Sequence, residues 1–543
     1  MNYINRHYSK LMASFFILIG AASLSYARAD ITIDAVFFAQ THVQEPSYEY
    51  FTLVSDREAL IKVHVLSSDP SRKLPNVEAI VSVNGDKHKV SLSGPASLPA
   101  YIEKDQCLVD HLSDDSFIGY IPKEWVQPGM SVKIKAGKKR TVIENFKVGA
   151  PTVLNINMFD IFTFKEGNKD YPSGWKQEFE AKLPISRLEV ERVKTVFDEI
   201  VLAPSNSGPA KRVYSKNETR KGEKMASRWM GALMDAAGTA RRTNLYYLNT
   251  HNLSVSAGRG ADFHAVGQVG QEGYLLHEGG HALSLAHSNQ GFHPYRKSMC
   301  GVYAEKPHVG PTWFFDLLNK KFTSPISNLK GSYKKSPMLG GGRGNEKEYW
   351  AKTYMKNYSD FGVNKMQKYL EKHMVVWNQD LNSYANWNSE TNDYTKTVAN
   401  NGVLYPVERD VDVVSILSSV SAVTEAANII YPPIGPYKAG MINLFDPSVA
   451  GDRAAAEKDF CPSDGCDVSL RIIQGGQKKY VMLPISWDES ADPLSGSSFL
   501  TKAVNLPASE GEVSNVKVLF TPDAEHNGLP NTMKAIAKWR KTK

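Results

Sequence analysis

Leu275-Leu276-His277-Glu278-Gly279-Gly280-His281-Ala282-Leu283-Ser284-Leu285-Ala286-His287 is the stretch on which the reading of this chain turns. It contains H-E-x-x-H, with a third histidine six residues on. On an α-helix, residues four apart project from one face, so His277 and His281 offer their imidazoles side by side. Glu278 neighbours the first of them and can reach water held at a metal without taking a ligand position. His287 cannot remain on that helix and join them. Six further residues carry a side chain about 9 Å along the axis and about 120° around it. Zn–N bonds are only about 2.0–2.1 Å long, so the spacing predicts that the helix stops near Ser284 and that the chain turns back to deliver His287. Three histidines leave a fourth position for water, the pattern of a catalytic rather than a structural zinc site. Gly279 and Gly280 each cost up to about 1 kcal/mol against Ala inside a helix, so a close neighbour on that face is expected.

The longer pattern resembles the metzincin signature H-E-x-x-H-x-x-G-x-x-H, and its surroundings narrow the resemblance. Leu183-Pro184-Ile185-Ser186-Arg187-Leu188, Trp125-Val126-Gln127-Pro128-Gly129 and His308-Val309-Gly310-Pro311-Thr312-Trp313 are similar to stretches of the StcE/TagA-type secreted zinc metalloproteases. Phe37-Phe38-Ala39-Gln40 and Asn386-Trp387-Asn388 are similar to others. The likeness runs in patches from about residue 31 to about residue 440. It implies a mucin-type, O-glycosylated protein substrate and a methionine in a tight turn beneath the metal. Ser336-Pro337-Met338-Leu339-Gly340-Gly341-Gly342 has the turn chemistry, with Pro and a Gly run flanking Met338, and Thr353-Tyr354-Met355 is the second candidate. Where that family has a turn glycine, this chain has Ser284, and a left-handed backbone costs a non-Gly residue about 1–2 kcal/mol. Glu305 is the competing third ligand, as in zincins that use a downstream carboxylate.

Arg6 and Lys10 precede an apolar run over residues 11–24, which Ala27-Arg28-Ala29 closes. This reads as a secretory signal peptide with cleavage after Ala29. The run is too short to span a bilayer, and no cysteine follows the cleavage site closely enough for a lipid anchor. The predicted localisation is secreted and non-lipoprotein. Loss of the three basic residues Arg6, Lys10 and Arg28 takes the net charge from +7 to +4. That is mild for 543 residues, and no basic stripe is interleaved with aromatics, so nucleic acid is excluded as a partner. Cys461-Pro462-Ser463-Asp464-Gly465-Cys466 reads as a small disulfide loop, while Cys107 and Cys300 can bridge or stay free.

The 42% hydrophobic content supports two to four domains. We expect an α+β chain, with a metzincin-like protease domain over 151–400 between an N-terminal immunoglobulin-like β-sandwich (30–150) and a C-terminal β-rich accessory region (401–543). Leu60-Ile61-Lys62-Val63-His64-Val65 alternates at period two, and Ala79-Ile80-Val81-Ser82-Val83 and His88-Lys89-Val90-Ser91-Leu92 flank a turn at Asn84-Gly85-Asp86. His64 and His88 are expected as exposed strand residues. Residues 185–202 read as an amphipathic helix with Leu188, Val193, Val196, Phe197 and Ile200 as its stripe. Residues 224–240 read as a second helix and residues 361–376 as a third. Asn244-Leu245-Tyr246-Tyr247-Leu248 reads as a sheet strand beside which an extended substrate could add. Residues 378–400 are polar and aromatic-dotted and read as a loop. Val411-Asp412-Val413-Val414-Ser415-Ile416-Leu417 and Val468-Ser469-Leu470-Arg471-Ile472-Ile473 read as strands. Trp313 either walls the cleft or packs in the core, His293 is a spare surface histidine, and Tyr295 and Tyr303 are not separable as oxyanion donors.

The predicted function is that of a secreted zinc-dependent endopeptidase acting on O-glycosylated, mucin-type proteins. Zn²⁺ is held by His277, His281 and His287, and its bound water is activated by Glu278 as the base. The alternative from another class is a glycan- or mucin-binding adhesin with a vestigial or structural zinc site. A third reading, a zinc amidase or deacetylase on glycans, shares the metal. The sequence does not give the oligomeric state.

Overall fold

The computed structural model describes residues 30–542 apart from residues 70, 166, 168, 220–221, 239–242, 252, 254–257, 269–271, 328–330, 340–355 and 398–404. The expected signal segment, Met355 and the Gly340–Gly342 run therefore lie outside the described residues. The chain is strand-rich with few helices.

The N-terminal part forms two four-stranded sheets. In one, Ile31–Ala39 pairs antiparallel with Ala59–Ser67, which pairs with Phe117–Ile121. In the other, Val77–Val83 lies between Asp86–Ser91 and Ser131–Ala136. Val77, Ala79, Val81 and Val83 are buried at every second position, the period that puts one strand face inward. Both sheets feed one core containing Phe38, Ile61, Val63, Val81, Val132 and Ile134.

The other face of the first sheet is not free. Phe37 and Leu60 pack against Phe315, on the hairpin of strands Phe314–Asp316 and Lys321–Thr323. This corrects the expectation for His64, which is 0% exposed. Period two places its side chain opposite the shared core, and a segment distant in sequence then covers it. His88 is half-buried and stacks on Trp125 with ring centroids 4.4 Å apart.

The central sheet has the order Arg187–Phe197, Val153–Thr163, Leu245–His251, His264–Gln268, Arg259–Ala261. All its pairs are parallel except the last, where Arg259–Ala261 runs antiparallel at the edge. Residues 185–202 thus form mostly strand, not helix. Leu188 faces one core while Val193, Phe197 and Ile200 face another, so apolar residues fall on both sides of the strand. A strand buried on both faces loses clean alternation and mimics a helical stripe. Its Val190, Val193, Thr195 and Val196 are β-branched, and eleven register pairs to Val153–Thr163 set the outcome.

One face of this sheet is covered by the motif helix Glu272–Ala282 and the helix Asp360–His373, with Leu154, Ile156, Met158, Leu275, Leu276, Met366 and Leu370 between them. The helix Glu223–Ala236 covers the opposite face through Trp229, Met230 and Leu233. Tyr431 and Tyr437 from the C-terminal part join that second core, where Tyr431 stacks on Phe197. The C-terminal part itself is two sheets. Glu408–Val420 pairs with Ile434–Met441 and Leu500–Pro507, and Val468–Gln474 pairs with Gln477–Leu483 and Val513–Phe520. Residues 378–400 are not a plain loop either: Val376–Asn378, Ser383–Asn388 and Asp393–Lys396 make a small antiparallel sheet.

Main-chain and buried side-chain bonds join the N-terminal sheets to the central unit. Val43 N–H donates to the Trp313 carbonyl and Phe315 N–H to the Thr41 carbonyl, each at 2.9 Å. The Arg57 guanidinium is buried and donates to the carbonyls of Ala181, Leu183, Ile185 and Gln40. A covalent link adds to these bonds, since Cys107 is disulfide-bonded to Cys300 across a sequence separation of 193.

Acid should loosen this junction first. His64 and His111 are buried, with both His64 nitrogens and His111 Nδ1 unbonded, beside the Lys62 ammonium that pairs with Asp115 at 3.2 Å. Burial, reinforced by Lys62, pushes His64 down to about 3 and His111 down to about 2. Both bind protons more readily when unfolded, so the stability they allow is complete above about 6.5 and declines as the pH falls below it. The thermal midpoint should drop between about pH 6.5 and about pH 4, and His64→Phe should flatten that drop. A midpoint equally pH-dependent in that variant would assign the acid sensitivity elsewhere.

Candidate metal centre

The motif helix ends at Ala282, and the next residues explain how the chain reverses. Ser284 N–H donates to the His281 carbonyl at 3.0 Å, and Leu285 N–H donates to the Gly280 carbonyl at 2.8 Å. Ser284 has φ 73°, in the left-handed region. This is the Schellman arrangement, which satisfies the last helical carbonyls while turning the chain away from the axis. A serine occupies a place that glycine takes at least cost.

The turn brings His287 back to the other two imidazoles. His277 Nε2 lies 3.1 Å from His281 Nε2 and 3.1 Å from His287 Nε2. Two nitrogens bound tetrahedrally to one zinc would be about 3.3 Å apart at the usual bond length. Each ring's other nitrogen has its own partner. His277 Nδ1 meets the Pro337 carbonyl at 2.8 Å, His281 Nδ1 the Leu285 carbonyl at 2.6 Å, and His287 Nδ1 the Gln290 Oε1 at 3.1 Å. Oxygen acceptors of this kind require the proton on Nδ1, which leaves the three Nε2 lone pairs facing one another. Lone pairs at this distance repel, and a cation between them removes the conflict. The residues present therefore fit a divalent zinc-type ion. Burial pushes His277 down to about 4 and lowers His281 as well, which keeps both rings in the neutral form that metals bind.

Two side chains support this helix from below. A Cβ at Gly280 would lie 2.5 Å from Met338 Sδ and 3.3 Å from the Tyr358 ring, so glycine is needed for both to approach. Met338 follows Pro337, whose carbonyl holds His277, and the Tyr358 hydroxyl donates to the Leu276 carbonyl at 2.5 Å. Among the described residues Gly279 has no comparable neighbour, since a Cβ there would meet only Phe179 at 3.5 Å.

Glu278 is buried, and desolvation pushes its carboxyl up to about 8. A nearby dication would draw it back toward the ionised form. Gly258 and Gly260 bring the edge strand onto it: a Cβ at Gly258 would strike the Glu278 carboxylate, and one at Gly260 the Glu278 main chain. Leu245–His251, the strand expected to receive substrate, is paired on both sides. Among the described residues the edge beside Glu278 is Arg259–Ala261 instead.

Glu305 is exposed and is not part of the histidine cluster. Among the described residues the other group with metal-ligating atoms is Cys461, Cys466 and Glu525, and its two cysteines are consumed by a disulfide. His293 is half-buried against Phe361 rather than free on the surface. Tyr303 is exposed, the Tyr295 hydroxyl is occupied by Asp360 at 2.7 Å, and Trp313 packs against the core behind the first sheet. A narrow cavity of about 20 Å³ adjoins the centre, lined by Leu285, His287, Phe292, Met338, Tyr358 and Phe361 among others. Larger grooves of about 310 and 580 Å³ touch none of the three histidines.

Sequence reasoning missed Asp360. This buried carboxylate accepts from Gln44 of the N-terminal sheets, from Tyr295 and from Thr312. It ties down the irregular segment that follows His287. The His308-to-Trp313 stretch serves the same purpose: His308 stacks on Tyr333 and Tyr295, and Gly310 makes room for the Tyr295 ring. A serine and an acid opening a helix was the available signal, because Ser359 caps Asp360–His373.

Residues 109–375 match the Peptidase M66 family. The chain is 26% identical over 583 aligned residues to Dictomallein of Burkholderia pseudomallei (strain 1710b), covering 92% of this chain and 82% of that protein. Dictomallein of Burkholderia mallei (strain SAVP1) gives the same identity over 584 residues. Dictomallein-2 of Dictyostelium discoideum is 24% identical, with 92% of this chain and 94% of the relative covered.

The turn at Ser284 makes a stability test of the centre. Ser284→Gly removes the left-handed penalty and should stabilise the protein by about 1 kcal/mol. Ser284→Val should cost about 1–2 kcal/mol and weaken the retention of added zinc against a chelator. Thermal midpoints with chelator competition read both, and a valine variant that keeps zinc as well as wild type would contradict the role given to the turn.

Proposed function

We propose that this chain, a peptidase by its match to the Peptidase M66 family over residues 109–375, is an exported zinc endopeptidase of metzincin type. The observation that carries the proposal is the meeting of three imidazole Nε2 lone pairs whose Nδ1 protons are fixed by oxygen acceptors. His277, His281 and His287 would hold the metal, leaving one side open. Zinc bound there supplies Lewis-acid polarisation of the scissile carbonyl and lowers the pKa of water at the open side.

The chain's own residues do the rest. Glu278 takes a proton from the attacking water and passes it to the leaving amine. Burial raises the proton affinity of its carboxyl, which favours holding the proton until the amine leaves, while a dication beside it would keep it ionised for the first step. Pro337, Leu285 and Gln290 keep each imidazole in one tautomer and orientation. Met338 would be the turn methionine beneath the site. An extended substrate segment lies along the Arg259–Ala261 edge, where backbone pairing holds it over Glu278.

The substrate proposed is a protein, with O-glycosylated, mucin-type proteins favoured by the resemblance of the chain to the StcE/TagA-type enzymes. No helix among the described residues is long and apolar enough to cross a membrane. Two disulfides fit an oxidising compartment, in keeping with export by the expected leader. A glycan-binding adhesin is not favoured, since neither the peptidase match nor three convergent lone pairs serves binding alone.

Glu278→Gln should retain zinc in stoichiometric amount and lose cleavage of a heavily O-glycosylated protein by several orders of magnitude (about 10²–10⁴-fold or more). Chelation should abolish cleavage and zinc should restore it. Fragments released at the wild-type rate by the glutamine variant would refute the mechanism. Digestion of the same protein before and after deglycosylation tests the substrate class separately.

A further inference from the structure

The edge strand carries an exposed charge, Arg259, that stands outside the metal centre. Arg259 is exposed, and no ion pair or hydrogen bond with it occurs among the described residues. It lies between Gly258 and Gly260, the two glycines that press the strand onto Glu278. Register fixes the face on which it stands. Gly260 is paired with Ala265, which belongs to the core on the motif-helix side, whereas Arg259 is paired with Val266, which belongs to the core on the opposite side. Its guanidinium therefore leaves the sheet on the face away from the histidines. The neighbouring carboxylate of Asp262 is engaged with the Tyr369 hydroxyl at 2.8 Å.

A polypeptide that pairs with this strand places alternate side chains on Arg259's face. Directly opposed residues in an antiparallel pair have Cβ atoms about 4.5–5.5 Å apart, within reach of an arginine. Strand residues advance about 3.3 Å each, so the opposed substrate residue lies within about three positions of the bond next to Glu278. A guanidinium with no ion pair among the described residues is, in that place, complementary to a carboxylate. We infer that Arg259 is a specificity-determining residue, selecting substrates with an acidic side chain within about three residues of the scissile bond on the face away from the metal. The inference rests on the endopeptidase reading above and adds the substrate's charge to it. An edge-strand charge also discourages sheet-to-sheet aggregation, a role that involves no substrate preference.

The test uses the zinc-loaded full chain and peptides built on a bond that the wild type cuts. Each peptide carries Glu or Lys at one of the three positions on either side of that bond. At the position facing Arg259 the wild type should favour Glu over Lys about five-fold in kcat/KM, carried by KM, and the preference should shrink at high salt. Arg259→Glu should bring the ratio below one while leaving zinc content and thermal midpoint at wild-type values. A wild-type ratio near one at every position, or a ratio unmoved by Arg259→Glu, overturns the inference and leaves the endopeptidase reading standing. Failure of the wild type to cut any protein or peptide removes both.

Discussion

The Nε2 atoms of His281 and His287 each lie 3.1 Å from that of His277, lone pairs so close repel unless a cation stands between them, and much of this molecule holds the three rings in that arrangement. The reversal at Ser284 supplies the third ring, and three oxygen acceptors fix the rotation of all three. The support then widens in layers. Gly280 admits Met338 and Tyr358 beneath the helix, and Tyr358 is followed by Ser359 and Asp360, which start the next helix. The helix pair in turn packs on a sheet whose other face is filled by Trp229 and by tyrosines from the C-terminal part.

Asp360 shows that the N-terminal sheets belong to this scaffold. Its carboxylate joins Gln44 from the first sheet to Tyr295 and Thr312 from the segment after His287. Arg57 reaches the other way, donating to carbonyls at the end of the helix Trp175–Lys182 and just beyond. Breaking a buried, hydrogen-bonded charge of either kind leaves partners unsatisfied, a cost of several kcal/mol in typical proteins. The residues 109–375 matched by the peptidase family begin within the N-terminal part, in line with this shared construction.

The centre is legible in the sequence because its logic is local. Helical spacing pairs His277 with His281, and bond length alone demands a reversal before His287. A left-handed Ser284 is the strain that reversal implies, and the structure bears it. Elsewhere the signal is non-local. The apolar residues of Arg187–Phe197 look helical because they serve two cores at once. His64 looks exposed because the residues that cover its face, Phe315 among them, arrive from a remote part of the chain. Leu245–His251 passes for a receiving edge, since nothing in a run of apolar residues reveals which strands lie inside a sheet. Asp360 gives no hint of its partners, all three of which lie far off in sequence.

The bridge between Cys107 and Cys300 carries a consequence for when the fold is completed. Its second cysteine leaves the ribosome 193 residues after the first, and thirteen residues beyond His287. In a reducing cytosol both thiols stay open, so the segment bearing the third imidazole lacks its covalent anchor. An oxidising space can close the ring only once both halves are present in it. On the function proposed above, a peptidase completed in that order would stay unfinished while it remained in the reducing compartment where it is made.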